Sequence, residues 1–188
     1  MRNREAVVEA VLALVREGRL APTADEVAER SGVSARSVFR YFDDVDDLCR
    51  AAIEQQIADI GELAELTVDR RDSLDRRVGV VVDQRLALYE AIGNVGRVTR
   101  LRAPFQPLIA AALRDRRAEF RAQLAAAFEP ELSAMPADRA AATLAAADVL
   151  CSFESYELLR GDQQLSPRAA TRALAHALVA MLRAGTEA

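Results

Sequence analysis

Two short helices joined by a glycine-containing turn are predicted between residues 23 and 41, and this pattern constrains the fold of the chain more than any other. Thr23 and Glu26 have the spacing of a capping box, in which each side chain bonds the other residue's backbone amide. Gly32 stands where a turn needs a positive φ, and Ser34 can cap the following helix. Paired helices of this kind are typical of a helix-turn-helix.

The two faces of this helix pair differ in the way that DNA binding requires. Ala28 supplies a small residue where the helices would cross, and the inner face is apolar: Val27, Val33, Val38 and Tyr41. The outward positions of the second helix are Arg36, Ser37 and Arg40. Residues 31–42 hold two arginines and no acid, although the chain has a net charge of −4. A local basic patch on an acidic chain indicates contact with nucleic acid.

The remainder of the chain is predicted to be helical as well. Ala and Leu dominate an apolar fraction of 51%, and aromatic residues make up 5%. Because Ala and Leu are strong helix formers, we expect an all-α fold of about nine helices. The pattern predicts a helix from Leu74 to Ile92 that ends at Gly93, one uninterrupted helix over about 137–159, and a last helix over about 167–184.

The segment from Thr23 to Phe42, followed by Leu48, resembles the DNA-binding segment of the tetracycline-repressor-like (TetR) family of transcriptional regulators. The resemblance extends over about Val7 to Leu48. It implies a helix-turn-helix domain over 1–47 and a helical ligand-binding and dimerisation domain over 48–188. It also implies a homodimer that binds a palindromic operator in double-stranded DNA, with repression as the expected outcome, and that responds to an unidentified small-molecule effector.

By position, the resemblance implies a set of DNA-contacting residues: Thr23, Ser34, Ala35, Arg36, Ser37, Arg40 and Tyr41. Two positions depart from the family pattern. Phe39 replaces the usual tyrosine, and Val45, flanked by aspartates at 43, 44, 46 and 47, replaces a usual lysine. These departures favour an alternative, a helical dimeric interaction protein in which DNA binding is weakened or lost.

Large side chains in the rest of the chain are candidates for the wall of an effector pocket, with ordinary core packing as the alternative for each. The pocket candidates are Tyr89, Phe105, Phe120, Asp148, Phe153 and Tyr156. On the last helix, a stripe at helical spacing predicts dimer contacts. The candidate dimer residues are Leu174, Ala177, Leu178 and Met181.

Several classes of function are disfavoured by what the sequence contains. With one histidine, His176, and two separated cysteines, the chain is predicted to have no metal site, no cofactor and no catalytic triad, and therefore not to be an enzyme. No apolar run approaches the roughly 20 residues of a membrane span, and the charged start predicts no signal peptide. We expect a soluble, cytoplasmic protein with free thiols.

Overall fold

The computed structural model describes residues 2–186, and the side chains of residues 2–185. Over this range the chain forms ten α-helices and one π-helical turn and contains no strand, so the predicted all-α fold is confirmed. The helices are α1 (Arg2–Arg16), α2 (Ala24–Ser31), α3 (Ala35–Tyr41), α4 (Val45–Ala64), α5 (Leu74–Arg102), α6 (Pro107–Ala127), α7 (Glu129–Ser133), α8 (Ala137–Leu150), α9 (Phe153–Glu157) and α10 (Pro167–Thr186), with the π-helical turn (Leu158–Asp162) after α9.

The chain divides into two compact units. The first unit comprises residues 2–61 and 92–115, and the second comprises residues 62–91 and 116–186. No helix in the described part of the chain is long and apolar enough to cross a membrane.

The core of the first unit is built on one face of α1. The apolar stripe of that helix packs against α2 and α3, and the buried residues include Val7, Val8, Leu12, Val15, Val27, Val33, Val38 and Phe42. Burial of each such aliphatic side chain stabilises the fold by roughly 1.5–3 kcal/mol. Arg30 of α2 adds an exposed bidentate pair with Glu17, with both N–O distances 2.7 Å. The core therefore fixes α2 and α3 against α1.

The predicted break at Gly93 is present as a kink. Gly93, within α5, has φ 29° and ψ −112°, which are not helical values. Positive φ is accessible to glycine because it lacks a Cβ atom. Helix α5 therefore consists of two helical segments that meet at Gly93, and the predicted helix end at this residue is confirmed.

The prediction of a single helix over 137–159 is wrong. Helix α8 ends at Leu150, and α9 begins after Ser152, whose side-chain oxygen accepts the Ser155 amide at 3.1 Å. Serine competes in this way with the helical backbone, so an alanine-rich run can end where one serine caps a new turn.

The core of the second unit brings α5, α6 and α10 together. Its large buried residues include Val78, Val81, Val82, Leu124, Phe128, Leu174, Leu178 and Leu182. Leu174 and Leu178, two of the four residues expected at a dimer contact, therefore lie in the core of their own protomer. Ala177 and Met181 are half-buried on the same helix.

Candidate nucleic-acid interface

The capping box at the start of α2 has the predicted geometry. The Thr23 amide donates to Glu26 Oε2 at 2.8 Å, and the Glu26 amide donates to Thr23 Oγ1 at 3.3 Å. The Thr23 hydroxyl also donates to Glu26 Oε2 at 3.0 Å. These hydrogen bonds, the backbone bond first, lower the pKa of Glu26. Gly32 closes the helix with φ 68°, the left-handed conformation predicted for the turn.

Helix α3 begins at a pair of serines. The Ser37 amide donates to Ser34 Oγ at 3.3 Å, and the Ser34 hydroxyl donates to Ser37 Oγ at 3.0 Å. Ala35 is half-buried between them, whereas Arg36 is exposed. The cap thus sets the direction of the first turn of α3 and leaves the Arg36 side chain on its outer surface.

The outer surface of α3 carries two cations and one aromatic ring. Arg36 makes no hydrogen bond or ion pair with any described residue, so its five N–H donors are available to another molecule. Phe39 is 74% exposed. The Arg40 guanidinium carbon lies 5.4 Å from the centre of the Tyr41 ring. This side of α3 therefore presents two unneutralised charges and one exposed apolar ring.

Tyr41 connects α3 to the first turn of α1. Asn3 Nδ2 donates to the Tyr41 hydroxyl oxygen at 2.9 Å, and Arg40 Nη2 donates to the same oxygen at 3.4 Å. These two hydrogen bonds, that of Asn3 first, lower the pKa of Tyr41. Sequence reasoning missed Asn3, because a single amide near the start of a helix carries no recognisable signal.

The acidic start of α4 is partly neutralised within the first unit. Asp44 Oδ1 accepts the Asp47 amide at 2.8 Å and caps the helix. Asp47 Oδ1 pairs with Arg4 Nη2 at 2.9 Å. Asp43 and Asp46 remain exposed. The carboxylates of Asp44 and Asp47 thus have partners within the first unit, and Asp44, like Asp43 and Asp46, is exposed.

Val45 lies outside the core. Its side chain is 61% exposed at the first position of α4. Leu48, one turn later, packs against the core of the first unit instead. A substitution at Val45 therefore changes the surface of this helix start without opening a cavity.

Among the pocket candidates, the structure brings three aromatic side chains together in the second unit. The ring centre of Tyr89 is 5.6 Å from that of Phe153 and 6.0 Å from that of Tyr156. The Tyr89 hydroxyl donates to the carbonyl of Cys151 at 2.5 Å. Burial raises the pKa of the Cys151 thiol to about 12. The rings thus enclose the junction between α8 and α9.

The other pocket candidates lie elsewhere. Phe120 stacks on the guanidinium of Arg85, with 4.1 Å between the ring centre and the guanidinium carbon. Asp148 Oδ2 pairs with Arg121 Nε at 2.9 Å. Phe105 belongs to the first unit and is 82% exposed. Arg85, which the sequence did not single out, is a buried polar residue beside Phe120.

Comparison with solved structures shows which known fold this all-helical chain has. A transcriptional regulator from Rhodococcus sp. Rha1 matches with a TM-score of 0.72 and 19% sequence identity, over 100% of this chain and 97% of that one. A TetR transcription regulator from Haloarcula marismortui ATCC 43049 matches with a TM-score of 0.66 and 16% identity, over 97% of each chain.

A further Rhodococcus structure, described as a candidate TetR-family regulator, matches with a TM-score of 0.69 and 18% identity, over 97% of this chain and 100% of that one. No protein-family model matches the chain, and no curated protein matches it by sequence. The chain therefore has the TetR-type fold.

Proposed function

We propose that this protein is a homodimeric, DNA-binding transcriptional regulator that reads a palindromic operator through α3 and responds to a small-molecule effector, with repression as the default outcome. The observation that carries the proposal is the outer surface of α3. There, Arg36 and Arg40 are exposed without a carboxylate partner among the described residues, on a chain that is acidic overall.

The two arginines are proposed to have different roles. Arg36 lies on the first turn of α3, where side chains of a recognition helix reach base edges in the major groove. Arg40 lies one turn later and is held beside the Tyr41 ring. In that position we propose that it contacts the phosphate backbone together with Tyr41. Thr23, Ser34 and Ser37 are proposed to add hydrogen bonds to phosphates at the starts of α2 and α3.

Fluorescence anisotropy with duplex DNA from upstream of the protein's own gene tests these roles. Arg36→Ala should weaken binding by about 1–3 kcal/mol and relax specificity at one position of each half-site. Arg40→Ala should weaken binding to all sequences alike and make the salt dependence shallower by about one unit per subunit. Arg70→Ala, which removes an exposed arginine of the second unit, is the matched control and should change neither quantity. Equal effects of the two α3 variants across operator variants would contradict the assignment.

A dimer through α8 and α10 is supported by the alanine-rich outer surfaces of these two packed helices. The exposed alanines include Ala141, Ala142, Ala145, Ala146, Ala173, Ala180 and Ala184. Small side chains allow helices to approach closely, and a four-helix interface of this type would bury on the order of 2,000 Å². Ala177 and Met181 border the same surface, whereas Leu174 and Leu178 would support it from within the protomer.

Sedimentation velocity tests the dimer. Ala180→Glu should convert the protein to monomers at micromolar concentration, because it places a carboxylate in an apolar interface. Ala126→Glu, a change to an exposed alanine of α6, should leave the dimer intact. A wild-type monomer at this concentration would refute the proposed dimer.

A second candidate function, an interaction protein with little DNA binding, is favoured by Phe39 and Val45. Both side chains are apolar and exposed, at 74% and 61%, in the part of the first unit where DNA would bind. The anisotropy experiment separates the two candidates, because an interaction protein would show no preference for operator DNA over a scrambled duplex.

A further inference from the structure

Two arginines on α5 are buried in the second unit but differ in their partners. Arg77 is 3% exposed and Arg85 is 2% exposed. Arg77 donates to both carboxylate oxygens of Glu131, to the Ala127 carbonyl at 2.7 Å and to the Asp72 carbonyl at 3.1 Å. A carboxylate therefore neutralises the charge of Arg77, as a buried guanidinium requires.

Arg85 has only neutral partners. Its Nη2 donates to Gln123 Oε1 at 2.7 Å, and its Nη1 donates to the Ala64 carbonyl at 3.3 Å. Its Nε has no hydrogen-bond partner within the described residues. Gln123 in turn donates to Glu65 at 3.2 Å, so this carboxylate reaches Arg85 only through an amide. Burial lowers the pKa of Arg85, while Coulombic interactions with Tyr89, Cys151, Glu65 and Asp148 act in the opposite direction.

The surroundings of Arg85 offer aromatic surfaces. The Phe120 ring lies 4.1 Å from the guanidinium carbon. Phe120 is half-buried, so part of its ring is exposed to solvent. Tyr89, one helical turn after Arg85, joins the cluster with Phe153 and Tyr156. A ligand with a flat aromatic ring and one anionic group would match both the aromatic side chains and the Arg85 guanidinium.

We propose that Arg85 binds the carboxylate of an aromatic acid, with Nε and one terminal nitrogen as a bidentate pair. Arginine recognises carboxylates in this way with two parallel N–H···O hydrogen bonds. A bound carboxylate would give the guanidinium both a negative counter-charge and acceptors for its N–H groups. The inference rests on the proposed function in one respect only, which is that the bound acid is identified with the effector. Binding itself does not depend on DNA.

Thermal melting with benzoate as the probe tests the site. In about 10 mM sodium benzoate the wild-type melting temperature should rise by about 3 °C relative to equimolar sodium chloride, as expected for a ligand at several times its Kd. Benzamide, which has the same shape without the charge, should give no rise. Arg85→Met should abolish the benzoate response, and its own melting temperature should equal or exceed that of the wild type, because an unpaired charge leaves the core.

Arg85→Gln is a second uncharged variant that retains hydrogen bonding, and it should also lose the response. Arg76→Met, at an exposed position of the same helix, should keep it. An absent wild-type response, an equal response to benzamide, or a response that survives both Arg85 variants would overturn the proposal. Operator binding by the ligand-free protein is measured separately. If the ligand-free wild-type protein does not bind operator DNA, the proposed function is refuted, whereas the benzoate result is unaffected.

Discussion

Replacing Val45 with lysine is expected to tighten DNA binding at little cost in stability. The side chain is 61% exposed at the first position of α4, so the substitution buries no charge. Asp43 and Asp46 remain exposed on either side of it and oppose a polyanion. A lysine would partly offset these charges beside the phosphate backbone.

The magnitude follows from counterion release. Each new phosphate contact steepens the dependence of log affinity on log salt by roughly 0.9. Two subunits therefore add about 1.8 to the slope. If the new contacts contribute no affinity at 1 M salt, this slope corresponds to at most about 60-fold tighter binding at 0.1 M salt. A cation at a helix start opposes the helix dipole by roughly 0.3–1 kcal/mol, which lowers the melting temperature by up to about 4 °C.

Anisotropy titrations at several salt concentrations, with melting curves on the same samples, measure both quantities. Ile57→Lys is the matched control: it changes a 42% exposed aliphatic residue of the same helix, three turns further on, and should leave the slope unchanged. If Val45→Lys leaves both affinity and slope unchanged, the start of α4 does not face DNA, and the reasoning is wrong.

Three further predictions concern single side chains. Phe39→Tyr should raise operator affinity about fivefold for each half-site without changing the salt slope, because a neutral hydroxyl releases no counterion; Phe105→Tyr is the control. Gly32→Ala should lower the free energy of unfolding by about 1–2 kcal/mol because φ is 68°, whereas Gly61→Ala, in a helix with open space around it, should raise it. Cys151 has a raised pKa, so its stabilising effect is lost as pH rises above 9. Between pH 9 and 10 the unfolding free energy of wild type should fall about 1 kcal/mol more than that of Cys151→Ala, and parallel curves would contradict the burial of this thiol.

The features predicted from sequence are those governed by neighbouring residues. The caps at Thr23 and Ser34 and the turn at Gly32 depend on side chains within three or four positions and on backbone conformation. Such local chemistry is readable in the sequence because the partners are close together along the chain.

The features that were missed depend on distant packing. A stripe at helical spacing on α10 indicates burial but not which surface buries it, and the structure places Leu174 and Leu178 in the protomer core. Ser152 interrupts an alanine-rich pattern that gave no other sign of a break. The sequence does not indicate which arginines are paired with a carboxylate, because the side-chain partners of Arg77 and Arg85 come from other helices.

Selection of bound sequences from a library of random DNA duplexes tests the central claim most directly. The wild-type protein should enrich a palindrome whose half-site centres are separated by one helical turn of about 10–10.5 base pairs, or a multiple of it. A protein carrying both Arg36→Ala and Arg40→Ala should not enrich it. No enriched sequence with the wild type, or the same palindrome with the double variant, would contradict the claim that α3 reads DNA.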